Sequence, residues 1–172
     1  HEVLAAYHRD LRRGATQPKE QLLQAHLHAQ LEKLRLLAPP PSQSIDQSEC
    51  ADLWQDLRFY LNLEAEATAR TPVALEVPFG MEPDPLEPLS QLEPVILGEV
   101  PLSGRIDRID RLPDGYAVVD YKTGKSLRVT RTTLYDRGRL LQHGLYALVA
   151  EQLLGKVVQS SYYFVRQGAE QA

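Results

Sequence analysis

GRIDRID, residues 104–110, alternates Asp107 and Asp110 with Arg105 and Arg108, and thirteen positions beyond Asp107 the stretch DYKTG sets Asp120 two residues before Lys122. If both stretches are strands, residues two apart share a face. Asp120, Lys122 and Val118 then point one way, and Val119 and Tyr121 the other. PDG, Pro113 to Gly115, reads as the turn between them. A two-residue Pro113–Asp114 loop pairs positions that sum to 227 and sets Asp107 opposite Asp120. Their Cβ atoms would then lie roughly 5 Å apart. A glycine bulge at Gly115 would shift that register by one.

Carboxylates opposite one another repel unless a cation lies between them or one is protonated. A hard divalent ion takes oxygen ligands, commonly one or two carboxylates with waters. Asp107 and Asp120 fit that role, and the main-chain carbonyl of Tyr121 would add another oxygen. Lys122, beside such an ion, would orient an attacking water or stabilise a developing anion. An isolated D-x-K on a strand is most often a surface ion pair. The spacing to an earlier I-D across a turn sets this one apart. Asp110 has the opposite strand parity to Asp107 and is expected to be a solvated acid at the strand end.

The surrounding elements follow from periodicity. HEVLAAYHRDL, with Leu4, Tyr7, His8 and Leu11 at helical spacing, is a helix ended by Gly14. EQLLQAHLHAQLEKLRLL is a second helix, opened by Thr16 and Pro18 and closed by Pro39 to Pro41. A third starts at Ser44 or Asp46, with Leu53, Trp54, Leu57 and Leu61 as its expected buried stripe. VALEVPF alternates, with Val73, Leu75, Val77 and Phe79 on one face and Ala74 and Glu76 on the other. A loop carrying Pro83, Pro85, Pro88 and Pro94 is expected to be irregular and exposed. VILGEVPLSGRIDRID is a second strand, bent at Gly98 or Pro101, and YAVVDYK a third. LYDRGRLLQHGLYALVAEQLL is a helix ending at Gly155, and KVVQSSYYFV a last strand. The fold class is α/β.

LSGRIDRID, VVDYKTGK and QHGLY together resemble the PD-(D/E)xK nuclease superfamily, and more narrowly its RecB-like exonuclease family. The resemblance covers most of Ala74 to Val165 and only weakly the helices before. It implies a restriction-endonuclease-like mixed central sheet flanked by helices, with core order αβββαβ. It makes Asp107 and Asp120 the metal acids and Lys122 the catalytic lysine. Gln142 and Tyr146 match the family's Q-x-x-x-Y motif, and their i, i+4 spacing puts them on one helix face. The alternative is that Tyr146 packs in the core and Gln142 is solvated. His1, in HEVLAAY, matches a helix histidine that joins the metal ligands, with His8 as the fallback. His26 and His28 read as ordinary helix residues. Glu76 would be a further polar group on a strand face near the site. Some relatives hold an iron–sulfur cluster through four cysteines. This chain has one, Cys50, so no such cluster is expected, nor an internal disulfide.

A chain of 172 residues is expected to form a single domain, with helices in 1–70 and a catalytic core in 71–172. The absence of an initiating Met suggests a fragment of a longer chain. No run of apolar residues is long enough to span a membrane and no signal peptide is evident; the single cysteine, Cys50, reads as a cytoplasmic location. The net charge of −4 argues against a whole-surface nucleic-acid binder. Charge is uneven, however: Arg105 to Arg139 holds nine Lys or Arg against five Asp, about +4, leaving about −8 elsewhere. Lys125, Arg128, Arg131, Arg137 and Arg139 would hold backbone phosphates. The leading expectation is a Mg²⁺- or Mn²⁺-dependent nuclease acting on DNA, single strands or ends, with a helicase or other repair protein as partner. The rivals are an inactive nuclease-fold module that binds nucleic acid or acts as a scaffold, and a hydrolase of another phosphoester.

Overall fold

The computed structural model describes residues 1–67, 69–122, 141–165 and 169–171. They form α1 (Glu2–Arg12), α2 (Lys19–Leu37), α3 (Gln43–Glu66), β1 (Thr71–Phe79), β2 (Val95–Leu97), β3 (Val100–Leu102), β4 (Gly104–Leu112), β5 (Gly115–Lys122), α4 (Leu141–Leu154), β6 (Val157–Phe164) and β7 (Ala169–Gln171). α1–α3 belong to one compact unit; the strands and α4 form another. Among the described residues no helix is long and apolar enough to cross a membrane.

In the helical unit, α1 buries Leu4, Ala5, Tyr7 and His8, and α2 buries Leu22, Leu23 and Leu27. Helix α3 begins earlier than expected because Ser42 caps it, its hydroxyl accepting from the Ile45 amide at 3.3 Å. Its buried face is Leu57 and Tyr60. Of the expected stripe, Leu53 is exposed and Trp54 and Leu61 are half-buried. Apolar residues at 53, 54, 57, 59, 60 and 61 wrap most of the way round this helix, so periodicity alone selects no single stripe. His8 is buried against the Tyr60 hydroxyl, with Glu64 4.0 Å away. His26 bonds Asp10 at 3.0 Å.

The other unit is built on a mixed five-stranded sheet ordered β1-β4-β5-β6-β7. β1, β4 and β5 run antiparallel, β5 and β6 pair in parallel, and β7 returns antiparallel to β6. A parallel pair needs a crossover, and α4 lies in it. Val149 and Ala150 of α4 pack with Ala74, Val77, Phe79, Ile106, Ile109 and Val118 in the core. Each large apolar side chain buried this way contributes roughly 1.5–3 kcal/mol.

The β4–β5 register runs from Arg108↔Val119 to Leu112↔Gly115, the sum of 227 that a two-residue Pro113–Asp114 loop requires. Gly115 is needed where the chain leaves that loop. A Cβ there would lie 2.6 Å from the Lys156 carbonyl oxygen, which accepts from the Tyr116 amide at 2.9 Å.

Two strand expectations are corrected. Residues 95–110 are three strands, not one bent strand: Gly98 adopts φ 65° and, with Glu99, folds β2 back on β3. In β1 the expected alternation breaks. The register shifts between Pro72 and Ala74, and Glu76 takes a left-handed φ of 50°. Ala74 therefore joins Val77 and Phe79 in one core cluster.

The proline loop is irregular but not simply exposed. Edge strand β1 has amides facing outward that need acceptors, and the carboxylate of Glu87, 1% exposed, takes the Leu75 amide at 3.2 Å. Farther along, the Gln91 amide donates to the Pro78 carbonyl and the Gly80 amide to that of Glu93.

Asp110 is likewise not solvated. It is 0% exposed, as is Arg108, whose Nε and Nη2 reach its two oxygens at 2.6 and 2.8 Å. Arg108 Nη1 donates to the Tyr121 hydroxyl at 3.3 Å, and Arg70 Nε lies 3.5 Å from Asp110. A bidentate guanidinium two residues away on the same strand face lets the carboxylate leave water. Removing one partner of such a pair strands the other charge. Asp110→Ala is expected to lose about 3–5 kcal/mol in urea unfolding, and joint replacement by Arg108→Met and Asp110→Leu to recover most of it. Wild-type stability of Asp110→Ala would show that the pair does not matter.

Candidate metal centre

Asp107 sits on β4 and Asp120 on β5, 8% and 1% exposed. With Arg108 paired to Val119, they occupy the next level of the hairpin. Oδ2 of Asp107 accepts the Tyr121 amide at 2.8 Å, which fixes its carboxylate across the two strands. Glu76 reaches the same place from the other side. Its neighbours pair as Leu75↔Arg108 and Val77↔Ile106, so Glu76 is level with Asp107. A Glu76 oxygen lies within 4.8 Å of an Asp107 oxygen, and Glu76 too is only 8% exposed.

The left-handed backbone of Glu76 costs about 1–3 kcal/mol in a residue with a side chain. The cost is tolerated where surrounding structure over-determines the conformation, and here it lies beside a buried carboxylate. Arg105 approaches Glu76 at 3.8 Å from a half-exposed position. Two buried acids this close, with a third one level across the hairpin, offer only oxygen donors. That donor set suits a hard divalent ion such as Mg²⁺ or Mn²⁺.

Lys122 and Asp120 share a face, and the ammonium lies 2.5 Å from Asp120 Oδ2. The same ammonium donates to Gln142 Oε1 at 2.9 Å, and Gln142 Nε2 donates to the Tyr146 hydroxyl at 3.2 Å. Gln142 and Tyr146, four apart on α4, thus extend the Asp120–Lys122 pair into a four-residue chain. Tyr146 stands edge-on to Phe79, centroids 6.0 Å apart. Beneath Lys122 lies the ring of Tyr162, its centroid 5.1 Å from Nζ. Burial pushes the Tyr162 hydroxyl above the ordinary tyrosine range, the His143 main chain working against that and Asp120 adding to it. The phenol therefore stays protonated at neutral pH.

The Tyr121 side chain lies on the opposite face, bonded to Arg108, and only its main chain is near the acids. His1 belongs to the helical unit, where it precedes α1 and is exposed. His8 is part of that unit's core. Lys125, Arg128, Arg131, Arg137 and Arg139 lie outside the described residues. Glu76 carries little signal in the sequence beyond being the one acid in an otherwise apolar strand; its place beside Asp107 comes from the register and its kink.

A family model described as the PD-(D/E)XK nuclease superfamily matches residues 1–172. The chain is also 44% identical over 82 residues to the B-type component of an ATP-dependent helicase/deoxyribonuclease of Symbiobacterium thermophilum. That match takes in 45% of this chain and 7% of the relative, so the chain spans a small part of the relative's length.

Gly104 opens β4 beside this chain of side chains. A Cβ on it would lie 3.0 Å from Phe79 Cζ and 3.2 Å from the Tyr146 hydroxyl. Gly104→Ala is expected to overpack this corner, costing about 1–3 kcal/mol in urea unfolding, and to shift the Gln142 side-chain amide resonances. Unchanged stability and resonances would mean that Tyr146 yields freely and does not hold Gln142.

Proposed function

The chain belongs to the PD-(D/E)XK nuclease superfamily, and on that premise we propose that it is a metal-dependent deoxyribonuclease of the RecB-like exonuclease type. The observation that carries this reading is the grip on Lys122. A lysine ammonium is held between Asp120 and the Gln142 amide, one strand away from the close Glu76–Asp107 pair. A surface ion pair needs no such surroundings.

Glu76, Asp107, Asp120 and the main-chain carbonyl of Tyr121 would hold Mg²⁺ or Mn²⁺. When bound, such an ion supplies Lewis-acid stabilisation of phosphoryl oxygens and lowers the pKa of water. Lys122, half-exposed, directs an N–H toward the attacking water or the anionic phosphoryl group. Gln142 keeps the ammonium from swinging into solvent, and Tyr146 keeps the Gln142 amide turned with its oxygen toward lysine. The Tyr121 amide holds Asp107 in the orientation in which its carboxylate would take the ion. Substrate positioning of this kind accounts for a large share of rate acceleration in phosphoryl transfer.

DNA as substrate is supported by the word deoxyribonuclease in the relative's name, and a helicase partner by the word helicase. The basic residues of 125–139 are proposed to hold backbone phosphates, with no base readout. A place in DNA repair or recombination follows from the same resemblance.

Purified protein with Mg²⁺ or Mn²⁺ is expected to degrade linear DNA. Asp120→Ala and Lys122→Ala should each lower the rate by roughly 10²-fold or more, and calorimetric Mn²⁺ binding should weaken in Glu76→Gln and Asp107→Asn. Equal cleavage by wild type and both alanine variants would defeat the reading. DNA binding without cleavage and without need of a divalent ion would favour the scaffold module.

A further inference from the structure

We propose that Tyr162 is a positioning residue for Lys122: its ring face cradles the ammonium and completes the cage that Asp120 and Gln142 begin. The inference rests on the nuclease reading above for its kinetic consequence, but not for its geometry.

An ammonium has three N–H donors and no acceptor. Two of its neighbours here are polar, Asp120 and Gln142. The Tyr162 ring lies on a further side, with Nζ 5.1 Å from its centroid. The negative face of an aromatic ring attracts a cation at that range. Sheet pairing sets the ring there. In the parallel β5–β6 register Tyr162 is the partner of Asp120, and Phe164 that of Lys122.

The ring itself is held. It is 4% exposed, tilted against the His143 ring with centroids 4.6 Å apart, and 6.4 Å from the ring of Phe164. His143 is fixed in turn where its carbonyl accepts from Ser160 Oγ at 2.8 Å. A lysine side chain has much rotamer freedom to lose. One hydrogen bond, to Gln142, and one ion pair, to Asp120, set its direction, while the packed ring restricts how far the ammonium can drop or turn. The open side of Lys122, whose side chain is 34% exposed, is then the side left for water and phosphate. A role for the phenol hydroxyl is not required; the ring is what matters.

The test compares Tyr162→Phe, which keeps the ring, with Tyr162→Leu, which keeps apolar bulk but not the π face. Each is made alone and combined with Lys122→Ala. With Mg²⁺ and linear DNA, Tyr162→Phe should keep wild-type kcat. Tyr162→Leu should lose roughly 2- to 30-fold in kcat at unchanged KM. In the Lys122→Ala background Tyr162→Leu should cost nothing further.

A second measurement needs no activity. The chain has five lysines, so the Lys122 ammonium can be assigned in a proton–nitrogen correlation spectrum by its disappearance in Lys122→Arg. Its proton resonance should be displaced upfield by the ring current in wild type and Tyr162→Phe, and return toward the exposed lysines in Tyr162→Leu. An unmoved Lys122 resonance in Tyr162→Leu overturns the proposal. So does an equal kcat loss in the Phe and Leu variants. If wild type cleaves nothing, the nuclease reading fails by itself, and the spectrum still decides whether Tyr162 holds the lysine.

Discussion

The register of the β4–β5 hairpin is the constraint on which the rest of this structure depends. Side chains alternate strictly along a strand, so one pairing decides which residues meet on each face. With Arg108 opposite Val119, one face receives Arg108, Asp110 and Tyr121, which bond to one another in the dry interior. The opposite face receives Asp107, Asp120 and Lys122. A slip of one residue would exchange these sets and leave two chemical jobs undone at once. The short Pro113–Asp114 loop allows no such slip, and Gly115 lets the main chain of Lys156 close over the turn. A loop that looks like mere punctuation therefore decides where the acids stand.

The second determinant is an irregularity. β1 would present Glu76 by simple alternation, but a register shift and a left-handed residue re-aim its carboxylate at Asp107. The loop that follows keeps this distorted edge from fraying: Glu87 takes the Leu75 amide, and Gln91 and Gly80 add main-chain bonds farther along. Backbone strain persists only where neighbours hold it in place. Here those neighbours are a buried loop carboxylate on one side and the paired strand β4 on the other.

Some of this is legible in the residues alone, and the rest is hidden for identifiable reasons. The D…D-x-K spacing, the turn between, and the Gln142–Tyr146 interval are local patterns, and the hairpin and α4 realise them directly. The burial of Asp110 is not local, because strand parity says which face a residue takes, not whether that face is wet. It depends on Arg108 two residues away and on Tyr121 across the hairpin. The packing of the proline loop is hidden because only the paired structure shows that β1 is an edge in need of acceptors. Glu76 needs both a long-range register and a backbone kink, neither of which has a period to detect. The break at Gly98 is within reach: glycine followed by Glu99 between apolar residues is a turn, and a bend is a weaker reading of the same signal. Tyr162 gives no sign in sequence, since its parallel pairing with Asp120 spans more than forty residues.

The two faces of the hairpin also solve the problem of buried charge in opposite ways. Beneath, Asp110 meets a guanidinium inside the same strand, so charge is cancelled within the protein and the pair can be dry. Above, Glu76 and Asp107 bring like charges within 4.8 Å. Arg105 and Lys122 stand near, both partly in water. Gathered carboxylates with a lysine to one side are what an ion from solution would require: anionic oxygens to bind it, and a separate protein cation to act on whatever the ion holds.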